Sequence, residues 1–116
     1  MKVLLLENAQ NKEEQLKEEM EGKKLEVISC RSSNDFLNAI EETEFDKIVM
    51  NQEFWDKGSS IYCYFNIGPK LKNTPLLVYN AEENFAALCD REKHEQDQIL
   101  HKPVENSLIV EAAMQN

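Results

Sequence analysis

Apolar residues in this chain gather in short runs separated by longer polar stretches of helical spacing. Val3-Leu4-Leu5-Leu6 is continuous and apolar, the mark of a strand covered on both faces. Residues 9–24 are dense in Glu and Lys, with Leu16 and Met20 one helical turn apart. They read as a helix, with Asn11 and Glu14 as a start signal and Gly22 as the stop. The acidic stretch Lys12 to Glu21 reads as a solvated face. Leu25-Glu26-Val27-Ile28 is a second strand, placed at a sheet edge because it carries a charge.

Ser32-Ser33-Asn34-Asp35 is rich in capping types and precedes Phe36, Leu37, Ala39 and Ile40 at amphipathic spacing, which predicts a second helix. Lys47 to Met50 is a third strand, and residues 51–60 form a loop. Ile61, Tyr64, Phe65 and Leu71 mark a helix that Gly68-Pro69 interrupts. Leu76 to Tyr79 is a fourth strand, and Glu82 to Glu92 a helix with Phe85, Leu88 and Cys89 on one face. Gln98 to Leu100 is a fifth strand, and a final helix begins at Asn106 or Ser107 and runs through Met114. Five strands alternating with five helices predict an α/β sandwich with a parallel sheet, one domain over residues 1–116. In such sheets functional loops gather beyond the carboxyl ends of the strands. Glu7, Asn8, Asn51, Asn80 and Lys102 all fall there.

Composition narrows the function. A length of 116 residues with 41% hydrophobic content supports one core. The formal net charge of -9 argues against nucleic acid and gives no support for docking on an anionic membrane. Met1 to Leu6 is too short for a membrane span or a signal peptide, so a cytoplasmic location is expected. Cys30, Cys63 and Cys89 are odd in number and lack CxxC spacing, which fits buried, reduced thiols. His94 and His101 have no Cys or His partners at zinc spacing, so no metal site is expected and both read as surface or locally hydrogen-bonded residues. No glycine-rich loop follows the first strand, where Glu7-Asn8-Ala9-Gln10 stands, so a nucleotide-phosphate cradle has no support.

With these residues in this order, the chain resembles the response-regulator receiver domains (the CheY-like family) from Lys2 to its last helix. The resemblance implies a flavodoxin-like, doubly wound (βα)5 sandwich with strand order 2-1-3-4-5. Receivers place an acidic pair after strand one, a phosphorylated Asp at the end of strand three, and Thr or Ser after strand four. They place Lys-Pro after strand five and commonly an aromatic residue on it. In this chain Glu7-Asn8, Asn51, Asn80, Lys102-Pro103 and Ile99 take those positions.

The departures from that pattern bear on function. An amide cannot attack a phosphoryl donor as a carboxylate does. With Asn8 and Asn51 neutral, only Glu7 remains of the acids that would hold Mg²⁺. The resemblance therefore implies a degenerate pseudo-receiver, non-enzymatic and without a cofactor. Its role would be a stand-alone, phosphorylation-independent protein-interaction module of two-component signal transduction. Its partner, or a second copy in a homodimer, would dock on the last helix-strand-helix face. Phe85, Leu88, Ile99 and Leu108 are the candidate contacts there. Phe54 and Trp55, after Asn51, either form an exposed contact patch or fold back over their loop. The alternative is a divergent phospho-accepting regulator that uses Glu53 or Asp56 with Mg²⁺ held partly by Glu7. Inside the emptied pocket, a Glu7–Lys102 ion pair is expected, with Asn8 and Asn51 in a neutral hydrogen-bond network.

Overall fold

The five expected strands form one parallel sheet. A computed structural model describes residues 1–55, 74–85 and 96–115. Strands β1 (Lys2–Leu6), β2 (Glu26–Cys30), β3 (Lys47–Asn51), β4 (Leu76–Ala81) and β5 (Gln98–His101) lie in the order β2-β1-β3-β4-β5. The charged strand β2 is at the edge, as its Glu26 required. Among the described residues three helices accompany the sheet: α1 (Gln10–Gly22), α2 (Ser33–Glu42) and α3 (Asn106–Ala113), with a 3₁₀ turn over Gln52–Phe54. The helix expected over residues 61–71 lies outside the described residues, as does most of the one expected at 82–92. Asp56, Cys63, Leu88, Cys89 and His94 lie outside them as well. No helix of the described residues is long and apolar enough to cross a membrane.

Strand alternation sorts the core into two layers. Leu4, Leu6, Ile48, Met50 and Val78 point to the α2 side, where they meet Phe36, Ile40, Trp55 and Phe85. Val3, Leu5, Val49, Leu77 and Tyr79 point to the other side, against Leu16 and Met20 of α1 and Ile109, Val110 and Ala113 of α3. Cys30 is a buried free thiol of the first layer, and burial, helped by Asp35 and Glu13, pushes its pKa up to about 11.

Helix boundaries follow the local chemistry except at the two ends of α1. Ser32 caps α2 by accepting the backbone N–H of Asp35, as its residue type predicts. Helix α1 instead starts at Gln10 after Ala9, without a side-chain cap, so Asn11 lies inside the first turn. Gly22 is also still helical. Lys23 and Lys24 bond back to the carbonyls of Met20 and Glu21, and the left-handed residue that ends the helix is Lys24, at φ 68°. The acidic face is likewise not wholly solvated. Glu13 shares its face with Leu16 and Met20 and is buried. It accepts Ser29 Oγ and Arg31 Nε, each at 2.6 Å, and so ties α1 to the end of β2. Burial alone would raise its carboxyl pKa, but the Ser29 and Arg31 bonds together outweigh that and hold it low.

Lys47, the first residue of β3, is buried along its whole side chain. Its ammonium reaches past the sheet to the end of α3, donating to Ala112 O at 3.2 Å, Gln115 O at 2.5 Å and Gln98 Oε1 at 3.3 Å. A cation at a helix carboxyl end satisfies orphan carbonyls and meets the negative end of the helix dipole. Burial lowers its pKa. Lys47→Ala is expected to cost about 2–4 kcal/mol in urea unfolding, since it removes a long buried side chain as well as the tie. Lys47→Met keeps most of the packing. Its expected mark is faster amide hydrogen exchange confined to the last turn of α3.

Candidate functional site

The carboxyl edge of the sheet brings together some of the expected pocket residues and separates others, and side-chain parity decides which. Asn51 is in register with Tyr79, and Glu7 stands one step beyond the Leu6–Met50 pair. Glu7, Asn51 and Tyr79 therefore lie side by side toward the carboxyl edge of three adjacent strands, on the α1/α3 side of the sheet.

Glu7 is almost fully buried. Its Oε1 accepts the Tyr79 hydroxyl at 2.6 Å and the Asn51 amide at 3.2 Å, and its Oε2 accepts the backbone N–H of Ala9 at 2.9 Å. A carboxylate taken out of water needs such donors or a cation. Among the described residues no lysine or arginine forms an ion pair with it. The Lys12 ammonium lies 5.5 Å from the centre of the Tyr79 ring, within cation–π reach. Burial, then the bond and charge of Glu7, push the Tyr79 pKa far above that of an ordinary phenol, so the hydroxyl keeps the proton it donates.

Asn51 uses both ends of its amide. The nitrogen donates to Glu7, and the oxygen accepts Glu53 N–H at 3.1 Å, capping the 3₁₀ turn. A carboxylate at this position would set a second oxygen against Glu7 Oε1. Asn8 donates to Glu53 Oε2 at 3.3 Å on the exposed rim. The expected neutral network is thus two separate amide–carboxylate contacts.

The expected Glu7–Lys102 pair is absent. Lys102 binds the carboxylate of Glu82 instead, with both side chains about half exposed. The cause lies in β4. Asn80 adopts a left-handed conformation at φ 57°, which asparagine tolerates, and the register with β5 shifts between Val78 and Ala81. Glu82 is thereby carried beside the end of β5. Its N–H donates to Gln52 Oε1 at 3.1 Å, its carbonyl meets His101 Nδ1 at 2.9 Å, and Lys102 N–H bonds Ala81 O. His101 is locally hydrogen-bonded, and it meets the same residue as Lys102 despite their opposite parity.

The candidate contact residues are mostly interior. Trp55 is buried and meets Phe85 edge-to-face, with ring centres 6.1 Å apart at 80°. Phe54 and Ile99 are half-buried against the same cluster, and Phe85 is buried within it. The aromatic pair after Asn51 therefore folds back, and of the described candidates only Leu108 is exposed. Among the described residues no three His, Cys, Asp or Glu side chains converge as a metal site.

Two polar residues went unassigned from sequence, Tyr79 in the site and Glu13 in the tie between α1 and β2. Tyr79 closes a strand read only as apolar, yet its parity with Asn51 is visible once register is known. Glu13 stands three residues before Leu16, on the buried face of α1, which periodicity alone could have shown.

No protein-family model matches the chain, and no curated protein matches it either. Solved structures do. The chain resembles chemotaxis protein CheY4 of Vibrio cholerae at 14% identity, covering 97% of this chain and 94% of that one, with a TM-score of 0.76. The non-phosphorylated HemR receiver domain of Leptospira biflexa aligns at 20% identity over 97% and 90%, also with a TM-score of 0.76. The receiver domain of a Pseudomonas aeruginosa PAO1 sensor histidine kinase, solved with a magnesium ion coordinated in its active site cleft, aligns at 16% identity over 93% and 89%, with a TM-score of 0.70. The fold is that of signal-transduction receiver domains, with the strand order the sequence implied.

Three outcomes are expected for stability. Tyr79→Phe removes a donor from a buried carboxylate and should cost about 1.5–3 kcal/mol in urea unfolding. Lys102→Met breaks a half-exposed pair and should cost less than about 1 kcal/mol. Asn51→Asp places two carboxyls where one proton must be shared, raising the folded pKa of the pair above the unfolded value of about 4. Stability of that variant is then greatest below about pH 4 and is lost as pH rises through the raised pKa. Its unfolding midpoint should fall further behind the parent at pH 8 than at pH 5.

Proposed function

We propose that this chain works as a phosphorylation-independent receiver-like module, non-enzymatic, that acts by binding another protein in a signalling pathway. The observation that carries the proposal is the full engagement of Asn51, whose amide nitrogen holds Glu7 and whose oxygen holds the turn after β3. Phosphoryl transfer needs a nucleophile in line with the donor, a metal and a cation to meet the developing charge. Here the residue at the acceptor position is an amide. Glu7 already accepts from Tyr79, Asn51 and Ala9, and Lys102 is bound to Glu82. Binding without chemistry is what such a scaffold retains. A cytoplasmic location belongs to the same proposal.

A phospho-accepting alternative through Glu53 is weakened by its placement, exposed on the rim and engaged by Asn8. An amide NMR titration with Mg²⁺ and beryllofluoride, a mimic of an acyl phosphate, tests both. The expected result is no saturable shift at Glu7, Asn51, Asn80 or Lys102. Saturable shifts at those residues, or at Glu53, would overturn the proposal in favour of surviving acceptor chemistry.

A further inference from the structure

The sheet face that carries Glu7 is covered by α1 and α3, and these helices leave a groove between them on the outside of the molecule. It encloses about 620 Å³, within the range of about 300–1,000 Å³ typical of ligand pockets. Val110 and Met114 of the α3 side and Gly22 of α1 give it an apolar floor, with Glu19 and Glu111 on opposite walls and Lys23 at one end.

We infer that this groove docks one amphipathic helix of a partner protein, apolar on the inserted face and rich in Lys or Arg on its flanks. The inference rests on the chain being a protein-binding module and names where it binds and what. Three observations carry it. Among the described residues, four large hydrophobics are exposed, and one of them, Met114 at 42%, lines the groove. Apolar side chains at helical spacing between two parallel walls suit a helix laid lengthwise, and methionine adapts to what it meets. The walls set the sign. Glu19 and Glu111 form no ion pair with any described residue, and the whole chain carries a net charge of -9. That field attracts a basic segment and repels a second copy of the same acidic chain. Gly22 keeps the groove open, since a Cβ built there meets nothing within 4 Å. A Cβ at this position is therefore accommodated without moving a neighbour, and the swap from Gly raises helix propensity.

The test uses the whole chain, ¹⁵N-labelled, and two synthetic helical peptides. One carries Leu at i, i+3, i+4 and i+7 with Lys on the flanks, and the other replaces each Lys by Glu. Expected are saturable shifts at Gly22, Lys23, Val110, Glu111 and Met114 with the Lys peptide, and none with the Glu peptide. Gly22→Trp should weaken binding roughly tenfold or more while the melting temperature holds or rises. The double variant Glu19→Lys, Glu111→Lys should exchange the preference between peptides. Shifts spread evenly over the acidic surface, or binding indifferent to Gly22→Trp, would overturn the inference. Concentration-dependent dimerisation of the chain alone through these same residues would overturn it too. Saturable binding of the Lys peptide on the β5 side of α3 removes the groove but leaves the interaction module standing. Beryllofluoride shifts at Asn51 in the same sample remove phosphorylation independence and leave the groove result intact.

Discussion

A buried carboxylate that forms no ion pair among the described residues governs the carboxyl edge of this sheet. Glu7 sits where strands β1, β3 and β4 end together, and its desolvation must be offset by donors held at fixed positions. The structure supplies three, one each from β3 and β4 on the same side of β1 and one from its own loop. Each donor is rigid for a separate reason. Tyr79 is wedged into the α1/α3 layer, Asn51 is fixed by the turn it caps, and Ala9 leads into α1. The site is therefore a finished hydrogen-bond cluster, and the path of the chain around it depends on that closure.

Strand β3 is the member that joins this cluster to the far end of the molecule. All five of its residues are buried, with Asn51 at one end holding Glu7 and Lys47 at the other holding the last turn of α3. A polar residue at each end of an otherwise apolar strand is costly unless both find partners, and here both do. The same strand thus positions the pocket and fixes the helix that forms one wall of the outer groove.

The fold was legible because its signals are local and periodic. The run Val3–Leu6, the capping serine before Phe36 and the charge on β2 each dictate an element without reference to the rest. Within the site, the residues were legible and their partners were not. Lys102 and Glu7 look like natural partners on a list of strand ends. The pairing fails because Asn80 turns left-handed and delivers Glu82, a residue with no distinguishing sequence signal. Tyr79 and Lys47 were hidden by the opposite effect, each looking ordinary within an apolar strand while reaching a partner tens of residues away. Long-range side-chain partnership is set by register and by backbone irregularity, and neither is written in the spacing of a single strand.

The Glu7 cluster also links positions that are remote in sequence. An acid at position 51 is compatible with Glu7 only if a shared proton, a cation or a metal arrives with it, whereas an amide there is compatible with Tyr79 donating from the next strand. Positions 7, 51 and 79 are therefore not independent choices. Among chains of this fold, an amide at the end of the third strand should keep company with a hydroxyl donor at the end of the fourth. An acid there should keep company with a smaller, apolar residue that leaves room for an ion. Such joint variation would mark a chain as having exchanged ion chemistry for a sealed core, even where no single residue declares it.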